Sequence, residues 1–198
     1  MNIIILAGMP ASGKSTVASR LKKAFSLPVL EKDALKEEIF DTMGFDCYAM
    51  KRKADHAANA MLLRCARALL ENGQSMILDN NFDTASAERL EGLAREFGAH
   101  CITVFFGGDT EAFYRRYVER DRLHLRHLGH VLQDHYPPRE GDSLDYTMTR
   151  EEFSEKFEKR GMTSFHCEGT RIELDATNPE NIDIDALISS IRAAMERG

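Results

Sequence analysis

The chain has no tryptophan, five prolines and four cysteines in 198 residues, and each scarcity excludes something. Cys47, Cys65, Cys101 and Cys167 lie at least 18 residues apart, so they form neither a C-x-x-C redox pair nor a zinc ribbon. Reduced thiols of a cytoplasmic protein are expected instead. The longest apolar run, residues 3–7, is far below the roughly 18 residues of a membrane span. No basic segment precedes it as in a signal peptide, so neither a membrane nor a targeting role is expected. There is no repeat, linker or low-complexity tract, and residues 1–198 are expected to form one domain. Basic residues are outnumbered, with 26 Lys and Arg against 32 Asp and Glu and a net charge of −6. That balance argues against a large duplex-binding footprint, while a local basic groove for a short single strand stays open.

What is present is an alternation of apolar runs and amphipathic stretches. Residues 2–7 (NIIILA) have the β-branched, uninterrupted character of a buried central strand of a parallel sheet. Helical spacing follows over 14–25, a short strand over 28–31, a helix from 33 to about 42, and a long amphipathic helix over 51–71 closed by Asn72-Gly73. Strands at 75–78, 101–106 and 171–174 alternate with helices at 84–97, 111 to about 122 and 184–195. The pattern predicts an α/β fold, a three-layer α/β/α sandwich around a parallel five-stranded sheet. Residues 121–169 are too long and polar for a plain connection and are expected to form a mobile, helical lid.

Gly8-Met9-Pro10-Ala11-Ser12-Gly13-Lys14-Ser15-Thr16 fits G-x-x-x-x-G-K-[ST], the P-loop pattern, between a buried strand and an amphipathic helix as that motif requires. Gly8 and Gly13 permit a tight turn of backbone N–H groups around a phosphate, and the following helix aims its positive end at the anion. Ala11, Ser12 and Thr16 complete the cradle. Lys14 is placed to reach the β- and γ-phosphates, and the Ser15 hydroxyl to ligate Mg²⁺. ATP and Mg²⁺ are therefore the expected cofactors.

Further strings narrow the class: Glu31-Lys32-Asp33-Ala34-Leu35-Lys36, Ile77-Leu78-Asp79-Asn80-Asn81-Phe82, and Arg116-x-x-x-Arg120. Together with the P-loop they resemble the small P-loop kinases related to polynucleotide kinase, chloramphenicol phosphotransferase, gluconate kinase and the zeta-toxin kinases. The resemblance is strong to about Arg120 and weak after it. It implies that Asp33 is the base accepting the proton of an attacking hydroxyl, with Lys36 in the place of a substrate-contacting arginine. Asp33 is also a residue type that caps helices. Asp79 ends an apolar run as a metal-holding carboxylate would, and with Asn81 it stands where an acceptor binds at the strand ends; the same residues form turns.

The stretch 115–129 carries five arginines. Arg116 and Arg120 match the R-x-x-x-R of related kinases, and Arg120 and Arg126 are the pair expected to stabilise charge in transfer. A solvated basic helix face is the plainer account of the others. His124, His127, His130 and His135 suggest metal ligands, but no cysteine or carboxylate stands at ligand spacing, and lid polarity explains them better. Thr177 and Asn178 follow the last strand, where such kinases place the adenine, or they cap a turn.

The expected function is transfer of the γ-phosphoryl group of Mg-ATP to a hydroxyl of a small-molecule acceptor, by a monomer or homodimer. A polynucleotide 5′-hydroxyl is a second acceptor class, disfavoured by the acidic charge and the missing tryptophan. An ATP-binding interaction module without transfer is the third reading.

Overall fold

Five apolar runs become five strands: β1 (Asn2–Gly8), β2 (Val29–Glu31), β3 (Met76–Asp79), β4 (His100–Gly107) and β5 (Thr170–Asp175). A computed structural model describes residues 1–142 and 148–197. The strands form one parallel sheet in the order β2-β3-β1-β4-β5. Its register puts Leu6 beside both Asp79 and Val104, and Asp79 beside Glu31. The carboxyl ends of β1, β2 and β3 therefore finish level, on the edge where an open α/β sheet binds ligands.

Among the described residues eight α-helices surround the sheet: α1 (Lys14–Phe25), α2 (Lys32–Met43), α3 (Tyr48–Glu71), α4 (Thr84–Phe97), α5 (Thr110–Arg122), α6 (Leu128–Val131), α7 (Arg150–Lys159) and α8 (Ile184–Met195). Side chains of a strand alternate between faces, so β1 serves two cores. Ile4 and Leu6 pack with α1, α5, α7 and α8 through Leu21, Phe113, Phe153 and Ile191. Ile3 and Ile5 pack with α3 and α4 through Leu62, Leu70 and Leu90. A smaller cluster of Phe40, Phe45, Ala54 and Leu132 joins α2, α3 and the chain after α6. None of the helices among the described residues is long and apolar enough to cross a membrane.

The expected strands and helices are all present, with ends shifted by a few residues. The largest shift is at α3, which starts at Tyr48 and not at residue 51. The polar stretch 121–169, where a helical lid is expected, contains the helices α6 and α7 among its described residues. α7 opens with a capping box between Thr149 and Glu152 and buries Phe153 and Phe157, one turn apart, in the first core.

Candidate active site

The P-loop connects β1 to α1. Gly8 has φ +142°, and a Cβ there would lie 2.7 Å from the carbonyl oxygen of Phe106, so this glycine is required by the neighbouring strand. Gly13, at φ +91°, begins α1 without a side-chain cap, which leaves the first N–H groups of the helix for an anion. Lys14 is buried, and its Nζ donates to the carbonyls of Met9 at 2.7 Å and Gly8 at 3.1 Å and to Ser12 Oγ at 3.2 Å. Burial lowers its pKa to about 8, with Asp79 and Asp33 opposing and Arg120 assisting. The ammonium thus lies among two carboxylates and a guanidinium drawn from three other elements.

Asp33 projects from the first turn of α2, whose N-cap is Glu31, so Asp33 is not the cap. Its carboxylate lies 3.1 Å from Lys32, which is itself 2.9 Å from Asp55 on α3; Lys36 reaches the same oxygen of Asp55, also at 2.9 Å. The Asp33 side chain is walled by protein yet 53 % open to solvent, because it lines a wide cleft. Burial alone would raise its pKa, but Lys32, His130 and Lys36 outweigh it and hold the carboxylate well below its usual range. Asp79, at the end of β3, is buried, and burial raises its pKa against the pull of Lys14 and of a hydrogen bond from the Ser15 hydroxyl. Ser15 and Asp79, a hydroxyl and a buried carboxylate that line the same cleft, are the oxygen ligands a hard divalent cation takes.

The three singled-out arginines differ. Arg116 spends its guanidinium on carbonyls, donating to Ala11 at 2.9 Å, Thr177 at 2.7 Å and Ala176 at 2.9 Å. It clasps the P-loop to the chain after β5. Arg120 leaves its Nε buried without a partner, and burial, with Arg126 beside it, lowers its pKa. The Arg120 side chain lines the same cleft as Lys14 and forms no ion pair among the described residues, which leaves its guanidinium free for an anion there. Arg126 uses Nη1 on Tyr117 Oη at 3.0 Å and on both oxygens of Asp121, at 2.9 and 3.1 Å.

These groups line one cleft of about 420 Å³, which brings together Ala11, Gly13, Lys14, Ser15, Thr16, Asp33, Lys36, Asp79, Asn81, Arg116, Arg120 and Arg126. Gly8 and Ser12 lie behind it, and Thr177 is outside its lining, where its hydroxyl accepts from the Asp109 N–H at 2.9 Å. The lining also includes residues that the motifs do not mark: Lys32, Lys51, Arg52, Asp55, Lys156 and Arg160. Lysines and arginines outnumber carboxylates ten to four there, on a chain whose net charge is −6. Lys51 donates to the carbonyls of His130 and Leu132; burial, then Lys36 and Arg126, lowers its pKa to about 7. Three of the four histidines pair with carboxylates: His127 with Asp41 at 2.9 Å, His130 with Glu37 at 2.9 Å, and His135 with Asp142 at 2.8 Å. The first two fasten the chain around α6 onto α2.

Comparison with known proteins finds relatives and solved structures that are named as kinases. A shikimate kinase of Corynebacterium efficiens is 25 % identical over 134 residues, 61 % of this chain and 79 % of that one. A provisionally named kinase from Chloroflexus aurantiacus superimposes with a TM-score of 0.79 at 28 % identity, over 98 % of this chain and 97 % of the other. The shikimate kinase of Aquifex aeolicus shares the fold, with a TM-score of 0.51 at 20 % identity over 98 % and 96 % of the two chains. Residues 3–137 match the AAA domain family; the chain belongs to that family and has the architecture of its small P-loop kinases.

Proposed function

We propose that the protein is an ATP-dependent kinase that phosphorylates a hydroxyl of a small molecule, with Asp33 as the base. The observation that carries this reading is the meeting of Lys14 and Asp33 in one cleft with the unpartnered Arg120. The P-loop backbone and Lys14 hold the terminal phosphates of ATP. To do so, Lys14 gives up its carbonyl partners for phosphate oxygens. Ser15 and Asp79 hold Mg²⁺, which when bound neutralises charge on the β- and γ-phosphates.

An acceptor hydroxyl enters between Asp33 and Asn81. Asp33 orients it and takes its proton as the new O–P bond forms and the bond from the γ-phosphorus to the β,γ-bridging oxygen breaks, with ADP as the leaving group; Lys32 and Lys36 keep the carboxylate ionised and therefore able to accept. Arg120 stabilises the charge spread over the γ-oxygens, and Arg126, braced by Asp121, closes the site with the segment that follows α5. Of the expected 121–169 lid, the stretch that carries Arg126, His130 and Gln133 to the cleft acts as the cover that excludes water, while α7 is built into the core and residues 143–147 lie outside the described residues.

ADP release from Mg-ATP across sugar acids, sugars, nucleosides, antibiotics and a 5′-hydroxyl oligonucleotide tests the proposal. Stimulation by one class, lost in Lys14→Ala, is the expected result, and a steady ATPase that no hydroxyl compound accelerates would contradict it. The oligonucleotide is included because the cationic excess of the cleft favours polyanions as well as small ones.

A further inference from the structure

A second cavity, of about 410 Å³, lies between α3, α4 and the carboxyl end of β3. It is continuous with the reaction cleft, since Lys32, Arg52, Asp55, Asn80, Asn81 and Arg160 line both. Arg89 of α4 and His56 of α3 line only the second, so a ligand whose reacting end lies in the cleft can extend through the shared wall to reach them.

The charges in this cavity are unbalanced. Its two carboxylates are already engaged: Asp55 holds Lys32 and Lys36, and Asp83 holds Arg160 at 3.1 Å and the Ser86 hydroxyl at 2.6 Å. Arg52 and Arg89, exposed on the facing helices α3 and α4, form no salt bridge among the described residues. Guanidinium groups gathered around one concavity repel each other, and an anion between them turns that repulsion into paired, fork-shaped hydrogen bonds. Beneath them Leu63 and the edges of Leu62 and Phe82 offer an apolar floor, while His56 and Asn59 offer polar atoms.

We infer that the phosphoryl acceptor is an extended hydroxylated anion: its reacting hydroxyl lies at Asp33, and its far end carries a carboxylate or phosphate ester held in the second cavity by Arg52 and Arg89. The inference rests on the kinase reading and adds the chemistry of the acceptor. Arg52 and Arg89 are then specificity residues. They select the acceptor by its remote charge, while Asp33 and Lys14 handle transfer.

Calorimetry on the full chain saturated with Mg-AMPPNP, which occupies the P-loop, tests the site without transfer. The probes are glucose, gluconate, glucose 6-phosphate and 6-phosphogluconate. At least one anionic probe is expected to bind about tenfold or more tightly than glucose. Arg89→Ala and Arg52→Ala should each remove about that factor, while Arg95→Ala, at an exposed arginine of α4 outside the cavity lining, should not. Gluconate against glucose 6-phosphate decides between carboxylate and phosphate ester. Equal binding of glucose, no binding of any probe, or anion binding indifferent to Arg89 and Arg52 overturns the inference. The kinase reading fails by a different sign: no Mg-AMPPNP affinity, or no acceptor-stimulated ADP release. Circular dichroism confirms that each variant is folded.

Discussion

Lys14 is the residue whose protonation the fold has made conditional. With its pKa brought down to about 8 in the free protein, a fraction of the ammonium is neutral at mildly alkaline pH. Phosphate oxygens favour the charged form and raise that pKa, so nucleotide binding near pH 8 takes up protons and weakens as pH rises. Calorimetry in buffers of different ionisation enthalpy should show this uptake, and Lys14→Ala should abolish it; proton release on binding would contradict the assignment. Asp55 was illegible in the sequence because it has no motif. Only folding brings α3 against the start of α2 and lets one carboxylate hold two lysines, Lys32 and Lys36. The P-loop residues, Asp33, Asp79 and Arg120 were legible because each is tied to a strand end or to a local spacing. Asp55→Asn should leave Mg-AMPPNP binding intact while shifting the acidic limb of the pH–rate profile, because Lys32 and Lys36 lose a competing anion and act more strongly on Asp33.

Element-scale stability depends on how the loops are fastened to the sheet edge. Arg116→Ala strips three hydrogen bonds from the carbonyls of Ala11, Thr177 and Ala176. The expected cost is about 3 kcal/mol, which lowers Tm by roughly 6–12 °C for a domain of this size. An unchanged thermal midpoint would mean that water replaces the clasp at no cost. Gly129 in α6 lies over Phe40 of α2 so closely that a Cβ would come within 2.3 Å of the ring. Gly129→Ala should therefore destabilise by about 1–3 kcal/mol through overpacking, and Phe40→Leu in the same chain should recover part of that loss. Strand and helix positions were legible from apolar periodicity, including the whole of β1 and α8. Within the expected helical lid the place of α7 was not, although Thr149-x-x-Glu152 ahead of Phe153 and Phe157 is a capping-box signature. It stands in a run so polar that four apolar residues among many charges gave no periodic stripe.

For the whole molecule the governing fact is a charge inversion: a chain of net −6 surrounds a cleft in which cationic side chains outnumber carboxylates ten to four. Composition could not reveal this, since the ten come from five helices and their flanking turns and meet only when the sheet has formed. A concave cationic site in an acidic protein attracts polyanions at a rate that salt screens. The apparent KM for ATP should accordingly rise as ionic strength goes from about 50 to about 300 mM, with no such change for an equal osmolarity of sucrose. The central claim, that this cleft transfers phosphate to a hydroxyl through Asp33, is tested most directly by following the label of γ-³²P-ATP into the stimulating acceptor with the wild-type chain and Asp33→Asn. The account predicts label in the acceptor, a loss of transfer of about 100-fold or more in Asp33→Asn and an ATP affinity that stays within about twofold. Transfer undiminished in Asp33→Asn, or label found only in free phosphate, would contradict it.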